Sequence, residues 1–340
     1  MSKTVLVTGA TGFVGSWCVV ELLQRGYTVR TTVRSLAKEA AARTIIASVV
    51  DPGDKLTFFA ADLNRDEGWD AAVAGCDYVL HVASPLGTDN PKDPDVLVVP
   101  AREGTLRVLR AATGAGVERI VMTSSVAACA PRIRSGETTT DETFWTDPSD
   151  PDLGAYRLSK TLAERAAWDF MSQQSSRTRL TTILPSAVLG PVLSKENLGS
   201  VQIVQRLLTG SIPGAPRLGF NFVDVRDVAD LHIRAMTAPE AAGERFIAGG
   251  EWKWMKDISE ILRSELGPRA KKVPSRNLPD FVLRLIGIFD PTVRVVTPLL
   301  GRKHMVTSAK AQTVLGWKPR SAKTAIVDCA ESLIAKGAVN

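Results

Sequence analysis

The sequence is poor in the residues from which metal sites and disulfide frameworks are built. Its 340 residues include only four cysteines and three histidines. The cysteines lie far apart and form no C-x-x-C pair; they are Cys18, Cys76, Cys129 and Cys329. Their spacing indicates neither a metal site nor a set of disulfides, so we expect free thiols in a reducing compartment.

Long apolar runs are also absent. No stretch approaches the ~20 consecutive apolar residues that a membrane-spanning helix needs. The apolar run near the amino terminus ends at Gly9, which makes it too short for the core of a signal peptide. We therefore expect a cytoplasmic protein without a membrane partner.

Positive charge is in excess but dispersed along the chain. Lysine and arginine outnumber aspartate and glutamate by 42 to 36, which gives a net charge of +6. The densest basic cluster, RAKKVPSR at residues 269–276, is short and contains no aromatic residue. We interpret it as solvated surface with a mild attraction for anionic ligands, and we predict no nucleic-acid partner.

Two kinds of segment alternate along the first half of the chain. Runs rich in β-branched residues predict strands over residues 4–9, 27–34, 55–61, 77–84, 119–125 and 180–190. Helix-compatible stretches lie between most of them, over residues 13–25, 36–50, 96–113 and 153–174. Strands that alternate with helices predict a parallel sheet with helices on both faces.

The pattern changes after residue 190. A helix is predicted over residues 226–238 with Asp227 as its N-cap, and one more strand over 243–250. Residues 251–340 are mainly helical. We therefore predict an α/β fold, a doubly wound parallel sheet of Rossmann type with a smaller, mainly helical C-terminal lobe. The predicted division assigns residues 1–190 and 221–250 to a nucleotide-binding domain, and residues 191–220 and 251–340 to a substrate-binding lobe.

The segment LVTGATGFVG, residues 6–15, places Gly9, Gly12 and Gly15 between a predicted strand and a predicted helix. In such a turn the first glycine permits a tight bend, and the second lets a pyrophosphate approach the backbone. The third lets the helix pack closely on the strand. The helix amino terminus offers unpaired N–H groups to phosphate. We predict dinucleotide binding here, with an ordinary glycine-rich turn as the alternative. The predicted cofactor contacts of this loop also include Thr11, Phe13 and Val14.

The second predicted strand bears on the choice of cofactor. An NAD site usually has an acidic residue near the end of this strand, which accepts from the ribose 2′-hydroxyl. Here the segment VRTTVRSLAK has no acid and instead carries Arg34 and Lys38. A guanidinium suits a 2′-phosphate, so we predict NADP(H) rather than NAD. Two ordinary surface cations are the alternative.

The Thr-Gly-x-x-Gly-x-x-Gly spacing resembles the extended branch of the short-chain dehydrogenase/reductase superfamily. Three segments are similar to its dihydroflavonol-reductase and aldehyde/ketone-reductase group: WDAAVAGCDYVLHVASP (69–85), LPSAVLGP (184–191) and NFVDVRDVAD (221–230). Two features depart from other branches. Leu184 stands where sugar-nucleotide epimerases usually carry arginine, and PDLGA before Tyr156 lacks the Asn-Trp-Tyr-Cys-type signature of cinnamoyl-CoA reductases.

The resemblance implies further cofactor contacts after the third, fourth and sixth strands. Asp62, followed by Leu63, corresponds to the aspartate that binds the adenine amino group. The small residues beneath the cofactor correspond to Val82, Ala83 and Ser84. The segment from Pro185 to Val188 corresponds to the contacts on the carboxamide side of the nicotinamide. We interpret His81 as a packed strand histidine, because nothing near it in the sequence supplies a partner.

The segment YRLSK carries Tyr156 and Lys160 four residues apart on a predicted helix, so both side chains share one face. A TSS motif precedes them at the end of the fifth strand. The resemblance implies that Ser125, Tyr156 and Lys160 are catalytic, with Ser124 as the alternative serine, and that Thr123, Tyr156 and Lys160 contact the cofactor.

The pKa shift that Tyr156 would need can be compared with the electrostatic energy that a nearby ammonium group supplies. The pKa of a phenol is ~10 and must fall by ~3 units, about 4 kcal/mol, for the group to work in both directions near neutrality. An ammonium ~4 Å away supplies ~4 kcal/mol at an effective dielectric constant of about 20. We therefore expect Lys160 to lower the pKa of Tyr156, although burial would oppose this effect. By resemblance Lys160 also holds the nicotinamide ribose.

The expected activity is NADPH-dependent reduction of a small-molecule carbonyl substrate: an uncharged, largely apolar aldehyde, ketone or keto ester. Ser125 would polarise the carbonyl group and Tyr156 would protonate the alkoxide. Alternatives are a sugar-nucleotide epimerase or dehydratase, a 3β-hydroxysteroid-dehydrogenase-like enzyme, and a non-catalytic NADP sensor. A monomer and a homodimer are both open. The residues expected near the substrate are Leu86, Phe144, Trp145, Val192, Leu193, Ile203, Leu207 and Phe220.

Overall fold

The computed structural model describes residues 2–85, 91, 93–132, 136–196, 199–289 and 291–339. Leu86, one of the residues expected near the substrate, lies outside the described residues. The strands are β1 Thr4–Thr8, β2 Thr28–Val33, β3 Leu56–Ala60, β4 Tyr78–His81, β5 Arg119–Thr123, β6 Thr138–Thr140, β7 Arg179–Pro185, β8 Ala187–Leu189, β9 Ala215–Pro216, β10 Gly219–Asp224, β11 Arg245–Ala248, β12 Trp252–Trp254, β13 Asn277–Leu278 and β14 His304–Val306.

Twelve α-helices are assigned within these described residues. They are α1 Phe13–Gln24, α2 Glu39–Ala47, α3 Trp69–Val73, α4 Asp95–Gly114, α5 Ala155–Ser172, α6 Gln202–Thr209, α7 Val225–Thr237, α8 Met255–Leu266, α9 Asp280–Phe289, α10 Pro291–Val296, α11 Ala309–Leu315 and α12 Ala322–Ala335. No helix among the described residues is both long enough and apolar enough to span a bilayer.

Seven strands form the central sheet, in the order β3-β2-β1-β4-β5-β7-β11, and every neighbouring pair is parallel. The order reverses between β1 and β4. In open parallel sheets, ligands bind at such a switch point, outside the carboxyl ends of the strands. The predicted doubly wound α/β fold is confirmed, and it places the loops after β1 and β4 side by side.

The central sheet is covered on both faces, as the apolar β1 strand shows. Val5 and Val7 pack into one cluster with Trp17 of α1 and Leu231 of α7. Leu6, which points to the opposite face, packs into a second cluster with Val108 of α4 and further residues of α5. All three β1 side chains are fully buried. This alternation follows from the pleat of the strand, and the two covered faces explain why residues 5–7 of β1 are all apolar.

The predicted strand over residues 180–190 is in fact two strands in two sheets. β7 ends at Pro185 in the central sheet, whereas β8 pairs with β10 in a small sheet that β12 completes. Between them the Ser186 N–H donates to Ala248 O over 3.0 Å. An apolar core of its own lies beyond this break, formed by side chains such as Leu207, Ile258 and Ile326.

Two predicted helix boundaries are wrong. The segment 36–50 contains a 3-10 turn over Leu36–Lys38 before α2 begins. The N-cap of α7 is Asp224, whose side chain accepts from Arg226 N, and not Asp227. Asp227 instead accepts from Arg320 N over 2.6 Å and forms an ion pair with the Arg320 guanidinium. The Asp227 carboxylate, which the local sequence pattern predicts as the N-cap, is therefore bound by Arg320, a residue distant in the sequence.

Candidate active site

The glycine loop joins β1 to α1 in a turn that admits no side chain at two positions. Gly9 has a φ of +80°, and a Cβ there would lie 2.9 Å from Ala83 Cα. A Cβ on Gly15 would lie 2.2 Å from Gly9 O, so α1 packs directly on the turn. At Gly12, the N-cap of α1, a Cβ would meet only Gly9 O, at 3.3 Å. The space in front of the helix is therefore kept clear for a ligand.

Further residues of this loop border the same space. Thr11 and Phe13 line a cavity of about 20 Å³ together with Val192 and Leu193, and the first turn of α1 carries no acidic residue. Val14 packs against the core on the α1 side. The backbone N–H groups and the absence of acid at this helix terminus fit a pyrophosphate.

The cations predicted to bind a 2′-phosphate follow β2. Arg34 comes directly after its last residue, and Lys38 ends the following 3-10 turn. Both are exposed, and within the described parts of the chain neither forms an ion pair. Their charges are therefore available at the edge of the sheet where the adenosine end of a dinucleotide would lie.

After β3, the two predicted adenine contacts lie in a turn. Asp62 is half-buried, and its Oδ1 accepts from Asn64 N over 3.0 Å. Leu63 packs against α4, because a Cβ on Gly104 would come within 2.8 Å of Leu63 Cβ. The Asp62 carboxylate can therefore still accept from a base amino group, whereas the Leu63 side chain is engaged in packing.

The turn after β4 is tied to the end of β1 by one hydroxyl group. Thr8 Oγ1 accepts from Val82 N and Ala83 N at 3.1 and 3.0 Å, and it lies 3.0 Å from His81 Nδ1. Because both amides donate to this oxygen, its own proton goes to His81, whose neutral ring then carries its hydrogen on Nε2. Ser84 follows and is half-buried. His81 is buried in its strand, as expected.

The TSS motif sends its three hydroxyl groups in different directions. Thr123 Oγ1 lies 2.7 Å from His232 Nε2 on α7. The Ser124 hydroxyl donates to the buried Glu164 carboxylate over 2.6 Å. Ser125 Oγ accepts from Ala127 N and lies near enough to the Tyr156 hydroxyl to lower the pKa of that group. The structure therefore brings Ser125, and not Ser124, to the tyrosine.

The pKa of Tyr156 differs in direction from the expected one. Although 40% of the residue is exposed, the protein around its hydroxyl group removes water from it and raises the pKa above 10.0. The neighbouring Ser125 hydroxyl lowers the pKa and is the smaller of the two effects. The expectation that Lys160 holds the pKa of Tyr156 below its ordinary value is thus wrong for this structure, because desolvation dominates.

Lys160 lies one helical turn after Tyr156 and is only 7% exposed. Burial lowers the pKa of its ammonium from 10.5 to about 8, and the negative charge of Glu164 partly offsets this. Its own charge acts on His81, whose pKa falls to about 3, first through burial and second through Lys160. Lys160 thus lies within electrostatic range of the carboxyl end of β4.

The segment expected near the nicotinamide combines a strand end with an unsatisfied hydroxyl group. Pro185 ends β7, and Val188 lies in β8 with 8% of its surface exposed. Between them, Ser186 Oγ is buried and has no hydrogen-bond partner among the residues that the structure describes. A buried polar atom without a partner at this edge of the sheet fits an amide group of a ligand.

Most of the expected substrate residues pack in the protein instead. Val192, Leu193 and Leu207 are buried in apolar clusters. Ile203 and Phe220 pack against the apolar core that contains Leu207, Ile258 and Ile326. The Trp145 ring faces the Arg245 guanidinium at 3.7 Å. Phe144, 39% exposed, is the large apolar side chain of this set that remains most accessible. A cavity of about 360 Å³ between β9 and α8 contains none of the predicted site residues.

Sequence reasoning missed Glu164, which is fully buried on the same helix as Tyr156 and Lys160. The three residues follow one another at intervals of four, so they share one helix face. A carboxylate four residues after Lys160, on the helix face that carries Tyr156, is the signal that could have found it.

With this geometry established, the comparisons with known proteins can be given. Residues 5–249 match the model of the NAD dependent epimerase/dehydratase family. Cinnamoyl-CoA reductase 1 of Arabidopsis thaliana is 34% identical over 321 residues, covering 89% of this chain and 91% of that protein. The (2S)-flavan-3-ol-forming anthocyanidin reductase of Vitis vinifera is 32% identical over 310 residues, covering 86% and 87%.

A solved structure agrees with these sequence matches. Yeast methylglyoxal/isovaleraldehyde reductase Gre2 complexed with NADPH superposes with a TM-score of 0.80 at 28% identity, covering 99% of this chain and 100% of that chain. The strand order and the glycine loop described above lie within the matched region. The chain belongs to the NAD dependent epimerase/dehydratase family, in the extended branch of the short-chain dehydrogenases/reductases.

Proposed function

We propose that this protein is an NADPH-dependent carbonyl reductase that acts on an uncharged, largely apolar aldehyde, ketone or keto ester. The observation that carries the proposal is that the Ser125 and Tyr156 hydroxyl groups lie near one another, one helical turn from the buried Lys160. The relatives named as reductases, and the similar yeast reductase in its complex with NADPH, support the same activity and cofactor.

The glycine loop would hold the pyrophosphate, and Arg34 and Lys38 the 2′-phosphate. The Ser186 hydroxyl and the backbone from Pro185 to Val188 would face the carboxamide. When bound, the reduced nicotinamide supplies a hydride to the carbonyl carbon. The protein residues do the rest: Ser125 orients the carbonyl oxygen, and Tyr156 transfers its hydroxyl proton to that oxygen to give the alcohol.

The raised pKa of Tyr156 is compatible with its role as the proton donor. A phenol whose pKa lies above 10.0 is protonated throughout the neutral range, so it is ready to donate. Its phenolate, once formed, is stabilised by the neighbouring Ser125 hydroxyl. The Lys160 ammonium lies one helical turn away and adds favourable charge on the same helix face.

The sugar-nucleotide alternative is less well supported. Leu184, at the position where epimerases usually carry arginine, is fully buried in an apolar cluster with Cys129, Ile247 and Val306. An arginine is therefore missing there, and the side chain present instead packs among apolar residues.

The test is to follow NADPH oxidation by absorbance with a panel of paired substrates. Each pair contains one aromatic or aliphatic ketone and the same ketone carrying a carboxylate, and nucleotide sugars form a separate arm. We expect turnover of the uncharged member, with a preference for NADPH over NADH. Oxidation of NADPH by none of the carbonyl compounds would overturn the proposal.

Tyr156→Phe should lower kcat by about 10²–10⁴-fold, the usual contribution of a positioned general acid, while NADPH binding is unchanged. Tyr27→Phe is the matched control. Tyr27 precedes β2, so it lies at the amino ends of the strands, whereas the candidate site lies at their carboxyl ends. Full activity of Tyr156→Phe would show that another group donates the proton.

A further inference from the structure

Glu164 is a fully buried carboxylate that accepts five hydrogen bonds from four side chains. Oε1 accepts from Thr182 Oγ1 over 2.7 Å, from Arg245 Nε over 2.9 Å and from Trp168 Nε1 over 3.4 Å. Oε2 accepts from Ser124 Oγ over 2.6 Å and from Arg245 Nη2 over 3.2 Å. A buried charge persists only when it is paired and fully hydrogen-bonded, and this one meets both conditions.

The donors come from separate parts of the chain. Arg245 belongs to β11, Thr182 to β7 and Ser124 to the loop after β5, whereas Glu164 itself belongs to α5. Arg245 also donates to the backbone oxygens of Glu142 and Phe144. The ion pair with Arg245 thus compensates the buried charge of Glu164. It does not explain why Ser124 also donates a short hydrogen bond to this carboxylate.

Ser124 is the residue through which Glu164 reaches the reacting groups. Its hydroxyl is held inward by Glu164, and its N–H donates to Ile183 O over 2.7 Å. Ser125 follows in an extended conformation, with φ −163° and ψ 152°. Successive side chains of an extended chain point to opposite sides. Fixing Ser124 inward therefore directs the Ser125 hydroxyl outward, where it meets Tyr156.

The two ends of this connection belong to the same helix. Tyr156 and Glu164 are eight residues apart on α5, a rise of about 12 Å. Glu164 accepts from the inward serine, and Tyr156 lies near the outward one. The loop after β5 is thus fixed to α5 by the Ser124–Glu164 bond, and a backbone movement that carries Ser125 away from Tyr156 would strain this bond.

We propose that Glu164 is a positioning residue for the reduction, which holds Ser125 against Tyr156 by fixing Ser124. This role rests on the proposed function, since Ser125 and Tyr156 are assigned there to the substrate carbonyl group.

Two variants of matched chemistry test the proposal. Ser124→Ala and Thr182→Val each remove one hydroxyl donor to Glu164, one on each carboxylate oxygen, and both residues are buried. Each should lower the free energy of unfolding similarly, because each deletes one hydrogen bond to a charged group. Ser124→Ala should also lower kcat about tenfold, equivalent to 1.4 kcal/mol, with NADPH affinity unchanged. Thr182→Val should retain the kcat of the wild type.

The measurements are urea unfolding, NADPH titration and steady-state kinetics on the same preparations. Equal kcat values for the two variants, whether both reduced or both unchanged, would overturn the positioning role while wild-type turnover keeps the proposed function. A wild-type protein without carbonyl-dependent NADPH oxidation would overturn the proposed function, and the positioning role with it.

Discussion

The two sides of the candidate site are built in different ways. On the glycine-loop side the important groups are backbone atoms, and Gly9 and Gly15 have no room for a Cβ. On the α5 side the important groups are side chains with buried charge: Lys160 is 7% exposed and Glu164 is fully buried. Steric fit therefore limits which residues the glycine-loop side accepts, whereas desolvation and charge determine the properties of the side chains on the α5 side.

The difference predicts opposite effects on stability. On the loop side, a Cβ added at Gly9 or Gly15 must displace backbone atoms. Substitution there should therefore lower both the stability of the protein and its affinity for the cofactor. On the α5 side, the buried ammonium of Lys160 is itself a cost to the fold. Removing it should stabilise the protein while removing its activity, which is the trade-off expected at a functional site.

The largest effect is expected for Lys160→Met, which keeps an apolar stem of similar length. Activity should fall by about 10²–10⁴-fold, because the charge beside the proton donor is lost. The pKa of Lys160 is about 8 instead of 10.5, and a shift of about 2.5 units corresponds to about 3 kcal/mol. The free energy of unfolding at pH 7 should rise by up to that amount, as measured by urea unfolding.

The pH dependence of this gain follows from the same pKa. Below pH 8 Lys160 is charged in both the folded and the unfolded chain, so the full cost of burying the charge is present. Between about pH 8 and 10.5 the folded protein loses the proton first, and the cost disappears. The stability difference between Lys160→Met and the wild type should therefore shrink across this window. Lys55→Met, at an exposed position, is the control, and an equal effect there would contradict the argument.

The fold could be predicted from the sequence where the signal is local. The apolar strand β1, the helix after it and the glycine spacing between them all lie within 24 residues. The boundary at Ser186 could not be predicted, because residues 180–190 form one continuous β-rich run and only the pairing of β8 with β10 divides it. The capping role of Asp224 was hidden in the same way by Asp227, which binds the distant Arg320.

The site shows the same limit. Tyr156 and Lys160 were predicted from their spacing and from the family resemblance, but the direction of the Tyr156 pKa shift depends on the protein packed around its hydroxyl. The partner of Glu164 is Arg245, 81 positions along the chain. Pairwise spacing along a sequence carries no information on such a contact, since the sheet brings the two residues together only after β11 has joined β7.

An intermediate effect is expected for Gly15→Ala. Its Cβ would lie 2.2 Å from Gly9 O and 2.7 Å from Gly9 C, so the turn or the helix must shift. The free energy of unfolding should fall by about 1–3 kcal/mol, as for other overpacked sites, and NADPH affinity should fall with it. Urea unfolding and a fluorescence titration with NADPH measure both.

Gly114→Ala provides the control for that experiment. Gly114 is the last residue of α4, and a Cβ there would meet nothing within 4 Å. Alanine should therefore be neutral or stabilise the helix by up to about 1 kcal/mol. If the two alanine variants behaved alike, the close packing of α1 on the turn would not be what limits the glycine-loop side.

The smallest effect on stability is expected for Arg34, which is exposed after β2, where neither steric contact nor burial restricts the side chain. Arg34→Asp should lower the ratio of kcat/KM for NADPH to that for NADH by about ten- to hundredfold, since a charge-assisted hydrogen bond is worth about 1.5–3 kcal/mol. The change should appear in KM and leave kcat intact, because Arg34 lies far from the proton donor along the sheet edge. Arg110→Asp on α4 makes the same charge change at another exposed position and should leave the ratio unaltered. A ratio unchanged by Arg34→Asp would mean that a different cation, with Lys38 the first to examine, binds the 2′-phosphate.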